Sequence, residues 1–202
     1  MSDLTLADLD RLYRAPHPLV LKKSLDHVDR HARMFIARSP FCVVSSAGPD
    51  GTMDVSPRGG VPGFVHVAGD KTLMMPDRGG NNRLDTLRNL LAGDGRIGLM
   101  FVIPGIDDVL RVNGRAAVTA DAEVLAGFEE FGKPPRTVVR VAVEEVFLHC
   151  PKAMMRASLW DAATWTGRGD LPSLVEMVSD QLGLPPPTVS EAETLASYKA
   201  QL

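Results

Sequence analysis

Residues 53–60 read MDVSPRGG, and residues 72–91 read TLMMPDRGGNNRLDTLRNLL. In both, an apolar segment typical of a β-strand runs into a glycine-rich segment that contains arginine: Arg58 in the first, Arg78 and Arg83 in the second. Glycines let the backbone approach a ligand closely, and arginine pairs bidentately with phosphate oxygens. The two stretches therefore predict an anion-binding site, with hairpin loops that carry solvated arginines as the alternative.

A helix is predicted over residues 83–92, directly after the second glycine-rich segment. Its first residue is Arg83, and the N–H groups and dipole of a helix N-terminus favour an anion. Asn81 and Asn82 precede it and can either cap the helix or donate to the same anion. Neither Arg58 nor Arg83 falls on an apolar stripe, so we expect the barrel to stay folded when either is replaced by alanine.

The two stretches belong to a series of short segments that are each predicted to be a β-strand. The predicted strands cover residues 41–46, 53–58, 64–67, 72–76, 97–103, 109–119 and 137–149. A helix is predicted over residues 121–131, between the last two strands. Antiparallel strands with helices before, among and after them predict an α+β barrel, because the regular β–α–β alternation of a doubly wound sheet is missing.

Helices are predicted on both sides of the strands. Thr5 and Asp8 resemble a capping box, and a second helix is predicted from Pro18 to the Ser39-Pro40 pair. The apolar stripe of this second helix consists of Leu21, Leu25, Val28, Ala32 and Phe35.

The C-terminal part is also predicted to be helical. One helix begins near Pro172, and a capping box of Ser190 and Glu193 opens another. Because composition does not shift along the chain, we expect one domain over residues 1–202: N-terminal helices at 1–39, a barrel at 40–150 and a helical segment at 151–202.

Composition excludes several classes of protein. The net charge is −3 over 202 residues, which argues against general affinity for nucleic acid or for an anionic membrane. No apolar run is long enough to span a bilayer. The two cysteines, Cys42 and Cys150, lie in apolar strand-like contexts, so we expect buried free thiols and a cytoplasmic protein.

Two other motifs predict nothing functional. Residues 93–98 match GxGxxG, but they follow a predicted helix and enter a predicted strand, the reverse of a dinucleotide-binding turn. His27 and His31 have the spacing of a metal pair on a helix, yet no third ligand accompanies them. We therefore predict no metal site.

The ordered set of motifs resembles a known family. SPRG at 56–59, PDRGGNNRLDTLRN at 76–89, IGLMFVIPG at 97–105 and LRVNGRA at 110–116 are similar to the FMN-binding split-barrel superfamily, and more narrowly to its pyridoxamine 5′-phosphate oxidase-related branch. The resemblance implies an antiparallel split barrel, bound FMN and a homodimer with the flavin at the subunit interface.

The resemblance also implies which residues bind the cofactor. One strand runs along the flavin and ends in a basic residue at the phosphate, and the next strand ends beside the ring. A basic pair at the following helix start binds the phosphate; here Arg83 keeps the charge and Asn82 offers only a hydrogen bond. The positions that match, together with two from the C-terminal segment, are Val55, Ser56, Arg58, Met75, Pro76, Asp77, Asn82, Arg83, Lys152 and Ser158.

The implied function is an FMN-dependent oxidoreductase that acts on a small molecule by hydride transfer. No catalytic side chain is identified, because flavin carries its redox chemistry in its own ring. Met53 stands where pyridoxamine phosphate oxidases have a basic residue, and residues 146–160 lack their substrate-binding pattern, so the substrate is left unassigned. The alternatives are a flavin carrier or redox sensor, a split-barrel enzyme using deazaflavin or haem, or an interaction module without a cofactor.

Overall fold

The computed structural model describes residues 3–130 and 132–201. This part of the chain forms two compact units, divided after Trp160. The first unit is built around a single antiparallel sheet, and the second is helical.

The sheet of the first unit has seven strands in the order β2-β1-β5-β6-β7-β4-β3, and every neighbouring pair is antiparallel. With its flanking helices, this sheet confirms the predicted α+β split-barrel fold. The strands are β1 Phe41–Ala47, β2 Met53–Gly59, β3 His66–Gly69, β4 Thr72–Asp77, β5 Arg96–Val102, β6 Val109–Thr119 and β7 Thr137–His149. β2 and β3 therefore lie at opposite ends of the strand order.

Six helices belong to the first unit: α1 Leu6–Leu12, α2 Pro18–Lys22, α3 Arg30–Ile36, α4 Asp85–Ala92, α5 Ala122–Ala126 and α6 Lys152–Arg156. The predicted capping box at the start of α1 is confirmed, since Thr5 and Asp8 bond to each other's backbone N–H groups. The predicted helix over residues 121–131 is shorter than expected: Asp121 caps α5, which ends at Ala126, and residue 131 lies outside the described residues.

The predicted helix from Pro18 onward is wrong in its middle. The chain instead forms α2 and α3, and the segment between them is extended at Leu25, which exchanges two backbone hydrogen bonds with Val146 of β7 (2.8 and 2.7 Å). Asp29 then caps α3 by accepting from the Ala32 N–H group at 2.8 Å. Val28 reaches the core from the extended segment, and Ala32 reaches it from α3. Because the two residues are four apart, their spacing resembles that of a single helix.

The core lies between the inner faces of the strands, with α3 and α4 packed against it. Alternation along β1 buries Cys42, Val44 and Ser46 and leaves the intervening residues partly exposed. The largest fully buried side chains include Phe101, Leu73 and Met75. The two free cysteines differ, because Cys42 is buried as expected whereas Cys150 is exposed.

The second unit contains α7 Leu174–Leu182 and α8 Glu191–Gln201, preceded by 3-10 turns at Ala162–Thr164 and Arg168–Asp170. Ser173 and Glu176 form a capping box at the start of α7. The predicted capping box of Ser190 and Glu193 is confirmed at the start of α8. No helix among the described residues is both long and apolar enough to cross a membrane.

Candidate functional site

A cleft of about 480 Å³ is lined by residues 54–59 and residues 76–87. These are the two glycine-rich stretches identified in the sequence, and the fold brings them together although they lie in β2 and in the β4–α4 connection. A volume between about 300 and 1,000 Å³ is typical of small-molecule and cofactor sites. The charged residues of the lining are three arginines (Arg58, Arg78 and Arg83) and three aspartates (Asp54, Asp77 and Asp85).

α4 is fixed against the sheet by its buried face and by two side-chain hydrogen bonds. Leu87 and Leu90 pack in the core. The Thr86 hydroxyl donates to the Asp54 carboxylate of β2 at 2.6 Å, and the Asn89 amide donates to the Ser46 hydroxyl of β1 at 3.1 Å. The start of α4 is therefore held beside β2, on the face that carries Asp54, Ser56 and Arg58.

Arg58 is part of the cleft wall. Its Nε and NH2 groups lie 3.2 and 3.1 Å from Asp77 Oδ1, and its NH1 group donates to the Pro57 carbonyl at 2.9 Å and to the Ser56 hydroxyl. The side chains are only 21% and 11% exposed, so Arg58 takes part in a partly buried ion pair as well as lining the cleft. β2 is the first strand in the sheet order and β4 is the last but one, so they are not hydrogen-bonded neighbours. The Arg58–Asp77 ion pair therefore links two strands that do not pair with each other.

Burial of Asp77 disfavours the charged form of its carboxyl group. Burial raises the pKa of its carboxyl above the ordinary value, and the nearby Arg58 guanidinium only partly offsets that rise. A buried acid with a shifted pKa and a specific charge partner, in a cleft, is typical of functional sites, although structural ion pairs also produce such shifts.

Arg78 lines the cleft and also binds the loop that follows α5. It donates to the backbone carbonyls of Phe128 and Lys133 at 2.8 and 3.0 Å and pairs with Glu130 at 3.1 Å. Glu130 in turn accepts from the Val61 N–H group at 2.9 Å. These contacts give Arg78 a structural role that its sequence neighbourhood does not reveal.

Arg83 is the most exposed of the three arginines, with 75% of its side chain accessible. It lies just before α4, which begins at Asp85 rather than at Arg83 as predicted. Its side chain pairs with Asp85, with Nε 2.8 Å from Oδ2.

The backbone that leads into α4 is strained. Asn82 and Leu84 both have left-handed conformations, with φ of 58° and 62°. Such conformations cost of order 1–3 kcal/mol each for residues other than glycine and cluster at ligand sites. Within the described chain no side chain caps α4, so the N–H groups of its first turn are available to a ligand in the cleft.

Seven of the ten predicted cofactor residues line the cleft: Val55, Ser56, Arg58, Pro76, Asp77, Asn82 and Arg83. Val55 points to the opposite face of β2 from Ser56, because side chains alternate along a strand, so only its backbone faces the cleft. Met75 is fully buried in the core. Lys152 and Ser158 are exposed in and after α6 and do not line the cleft of this chain.

Sequence reasoning missed the acidic partners of the arginines. Asp85 pairs with Arg83 and Glu130 with Arg78, and neither acid was a candidate. Asp85 was detectable because it stands two residues from Arg83. Glu130 was not, since its pairing depends on how the loop after α5 folds back.

Residues 28–150 match the family model for pyridoxamine 5′-phosphate oxidase, which covers more than half of the chain. The chain belongs to this family. The matched region spans α3, all seven strands and α4, so it contains the whole cleft. Among the curated proteins, none matches this sequence.

Several solved structures are distantly similar to this member of the family. HupZ from Group A Streptococcus has a TM-score of 0.48 and 17% identity, covering 60% of this chain and 93% of its own. A candidate pyridoxamine 5′-phosphate oxidase from Lactobacillus delbrueckii has a TM-score of 0.47 and 21% identity, covering 61% and 95%. An F420 reductase has a TM-score of 0.42 and 16% identity, covering 58% and 94%.

The chemistry of the cleft fits a flavin phosphate. An exposed arginine, an uncapped first helical turn and a neighbouring asparagine provide charged and neutral donors at one end of the cleft, at Arg83, α4 and Asn82. The ends of β2 and β4 form the adjoining wall, where Ser56 and Pro76 lie beside the Arg58–Asp77 pair.

Proposed function

We propose that this protein is an FMN-binding oxidoreductase that oxidises a small organic molecule. The observation that carries the proposal is the cleft itself, where Arg83 and the uncapped N-terminus of α4 meet the ends of β2 and β4. Family membership supports the same cofactor. The free thiols and the family suggest a cytoplasmic location.

The protein is expected to prefer FMN to riboflavin by at least about tenfold, because a hydrogen bond to a charged group contributes about 1.5–3 kcal/mol and riboflavin lacks the phosphate. Titration of both flavins into the purified protein, followed by flavin fluorescence, measures the ratio. Equal affinities for the two flavins would remove the phosphate from the proposed site.

FMN, when bound, would supply the two-electron redox chemistry for hydride transfer from the substrate, with oxygen or another compound as the final acceptor. The residues of this chain bind and orient it. Arg83 and the first turn of α4 would hold the phosphate, while Ser56, Pro76, Asp77 and the backbone at Val55 would face the ring. Because Met53 and residues 146–160 differ from pyridoxamine phosphate oxidases, the proposed substrate is another small molecule.

One experiment separates an enzyme from a flavin carrier or sensor. Candidate reductants are added to the flavin-loaded protein under anaerobic conditions, and the flavin absorption is followed. Bleaching by a substrate, with recovery on admission of oxygen, supports an oxidoreductase. Mass spectrometry of the small molecule that co-purifies distinguishes FMN from deazaflavin and haem.

We further propose a homodimer whose flavin sites lie at the subunit interface, where Lys152 and Ser158 contact the flavin bound by the partner subunit. The outer face of the sheet supports this assembly, since Met53 and Val55 of β2 are 63% and 68% exposed. Large exposed apolar side chains that share a face are typical of interaction surfaces.

Light scattering coupled to size exclusion should therefore give twice the mass of the chain. We expect the dimer interface to be larger than the roughly 1,600 Å² of a standard complex. Met53→Glu should shift the equilibrium toward monomer, because it places a charge in the interface. The control is Leu91→Glu, an equally drastic change at an exposed position on α4. A monomer at micromolar concentration that retains FMN would contradict this proposal.

A further inference from the structure

The three arginines of the cleft each have a carboxylate partner before any ligand arrives. Arg58 pairs with Asp77, Arg78 with Glu130 and Arg83 with Asp85. An incoming phosphate must therefore compete with a protein carboxylate for whichever guanidinium it uses. Which of the three pairs gives way depends on how firmly each is held.

Two of the pairs are built into the wall. Arg58 and Arg78 are 21% and 28% exposed, and each also donates to backbone carbonyls. Breaking either pair would leave a buried acid without its cation, which is strongly unfavourable.

The third pair is different, because Arg83 and Asp85 are 75% and 41% exposed and share one short contact. Exposed ion pairs of this kind contribute about 0–1 kcal/mol, so an anion can replace the carboxylate at little cost. Asp85 also lines the cleft in the first turn of α4, so its charge remains close to any phosphate bound there.

We infer that Asp85 is the affinity-setting residue of the phosphate site: it occupies Arg83 in the free protein, is displaced when the phosphate binds, and weakens the binding of the dianion through its own charge. This inference rests on the proposed FMN site and names the residue that limits its affinity. Asp85 acts through Arg83 and through the electrostatic potential of the site, so it is a positioning residue.

The test is Asp85→Asn, which removes the charge and keeps the shape. FMN is expected to bind about three- to tenfold more tightly at low salt, because the repulsion between two charged groups a few ångströms apart is removed, and the gain should shrink as salt is added. Riboflavin should bind as it does to the wild type, since it carries no phosphate. A simple loss of helix stability would instead weaken both flavins.

The structure offers a matched control in Asp94→Asn. Asp94 pairs with Arg96 two residues away at 2.7 Å, and the two side chains are 49% and 70% exposed, but neither lines the cleft. This variant has the same change of net charge and should leave FMN affinity unchanged. Asp85→Glu, which retains the charge, should also behave as the wild type.

If Asp85→Asn proves unstable in thermal melts, Asp85→Ser provides a second neutral variant with the same expected gain. If the wild type binds FMN and the neutral variants bind it no more tightly, the inference is overturned but the proposed function is not. A wild type that binds no FMN overturns the proposed function and the inference with it.

Discussion

Arg58→Ala is expected to lower the free energy of unfolding by about 2–4 kcal/mol near pH 8, somewhat below the range for fully buried ion pairs because this pair is partly exposed. The alanine leaves Asp77 in the cleft wall without its cation. It also removes the ion pair that joins β2 to β4, two strands that do not pair with each other in the sheet. Urea unfolding followed by circular dichroism measures the change.

The loss should depend on pH in a defined direction. Burial already raises the pKa of Asp77, and without the arginine that pKa rises further. A group with a higher pKa in the folded state binds more protons there, so its stabilisation is present at low pH and is lost as the pH rises through the folded pKa. The variant should therefore approach wild-type stability at mildly acidic pH and fall away from it at alkaline pH.

Two further variants test this explanation. Arg58→Ala combined with Asp77→Asn should recover much of the lost stability and remove the added pH dependence, because no unpaired carboxylate remains. Arg96→Ala breaks an exposed pair and should change stability by less than about 1 kcal/mol. An Arg58→Ala protein as stable as the wild type at alkaline pH would show that the pair does not hold the two strands.

Arg83→Ala is expected to weaken FMN binding by about 10- to 100-fold, the equivalent of about 1.5–3 kcal/mol for a hydrogen bond to a charged group. Riboflavin affinity and the melting temperature should change little, because Arg83 is exposed and its partner Asp85 is also solvent-accessible. Titration with both flavins by fluorescence, alongside circular dichroism, separates loss of the phosphate site from loss of the fold.

Arg88→Ala is the control for Arg83. Arg88 is an exposed arginine on α4, three residues after Asp85, and it does not line the cleft. Its removal lowers the net charge by the same amount and should leave FMN affinity nearly unchanged. If Arg88→Ala abolished binding while Arg83→Ala bound FMN normally, the phosphate would have been assigned to the wrong end of the cleft.

Much of the first unit follows from local patterns in the sequence. The predicted bounds of β6 and β7 agree with the structure, and those of the other strands differ by one or two residues at their ends. The convergence of residues 54–59 with residues 76–87 was anticipated from glycine and arginine content. These features depend on alternation, turn residues and local charge, which a sequence displays directly.

The rest depends on contacts between distant residues. The break between α2 and α3 results from bonding of Leu25 to Val146, 121 residues later, which no local periodicity reveals. Similarly, the sequence does not reveal that Arg58 pairs with Asp77, because the two residues lie on strands that are far apart in the sheet order. A sequence shows which loops contain arginine, but not which of those arginines are already paired with a carboxylate of the protein.

Pro57 has a consequence for how this molecule behaves at high concentration. It lies in β2, an end strand with β1 as its one strand neighbour, and proline has no N–H group to donate. Within a paired strand, proline is tolerated where its missing donor points to the free edge. The free edge of β2 therefore lacks one hydrogen-bond donor. This gap disfavours pairing with a strand of another molecule, the step by which β-sheet aggregates grow.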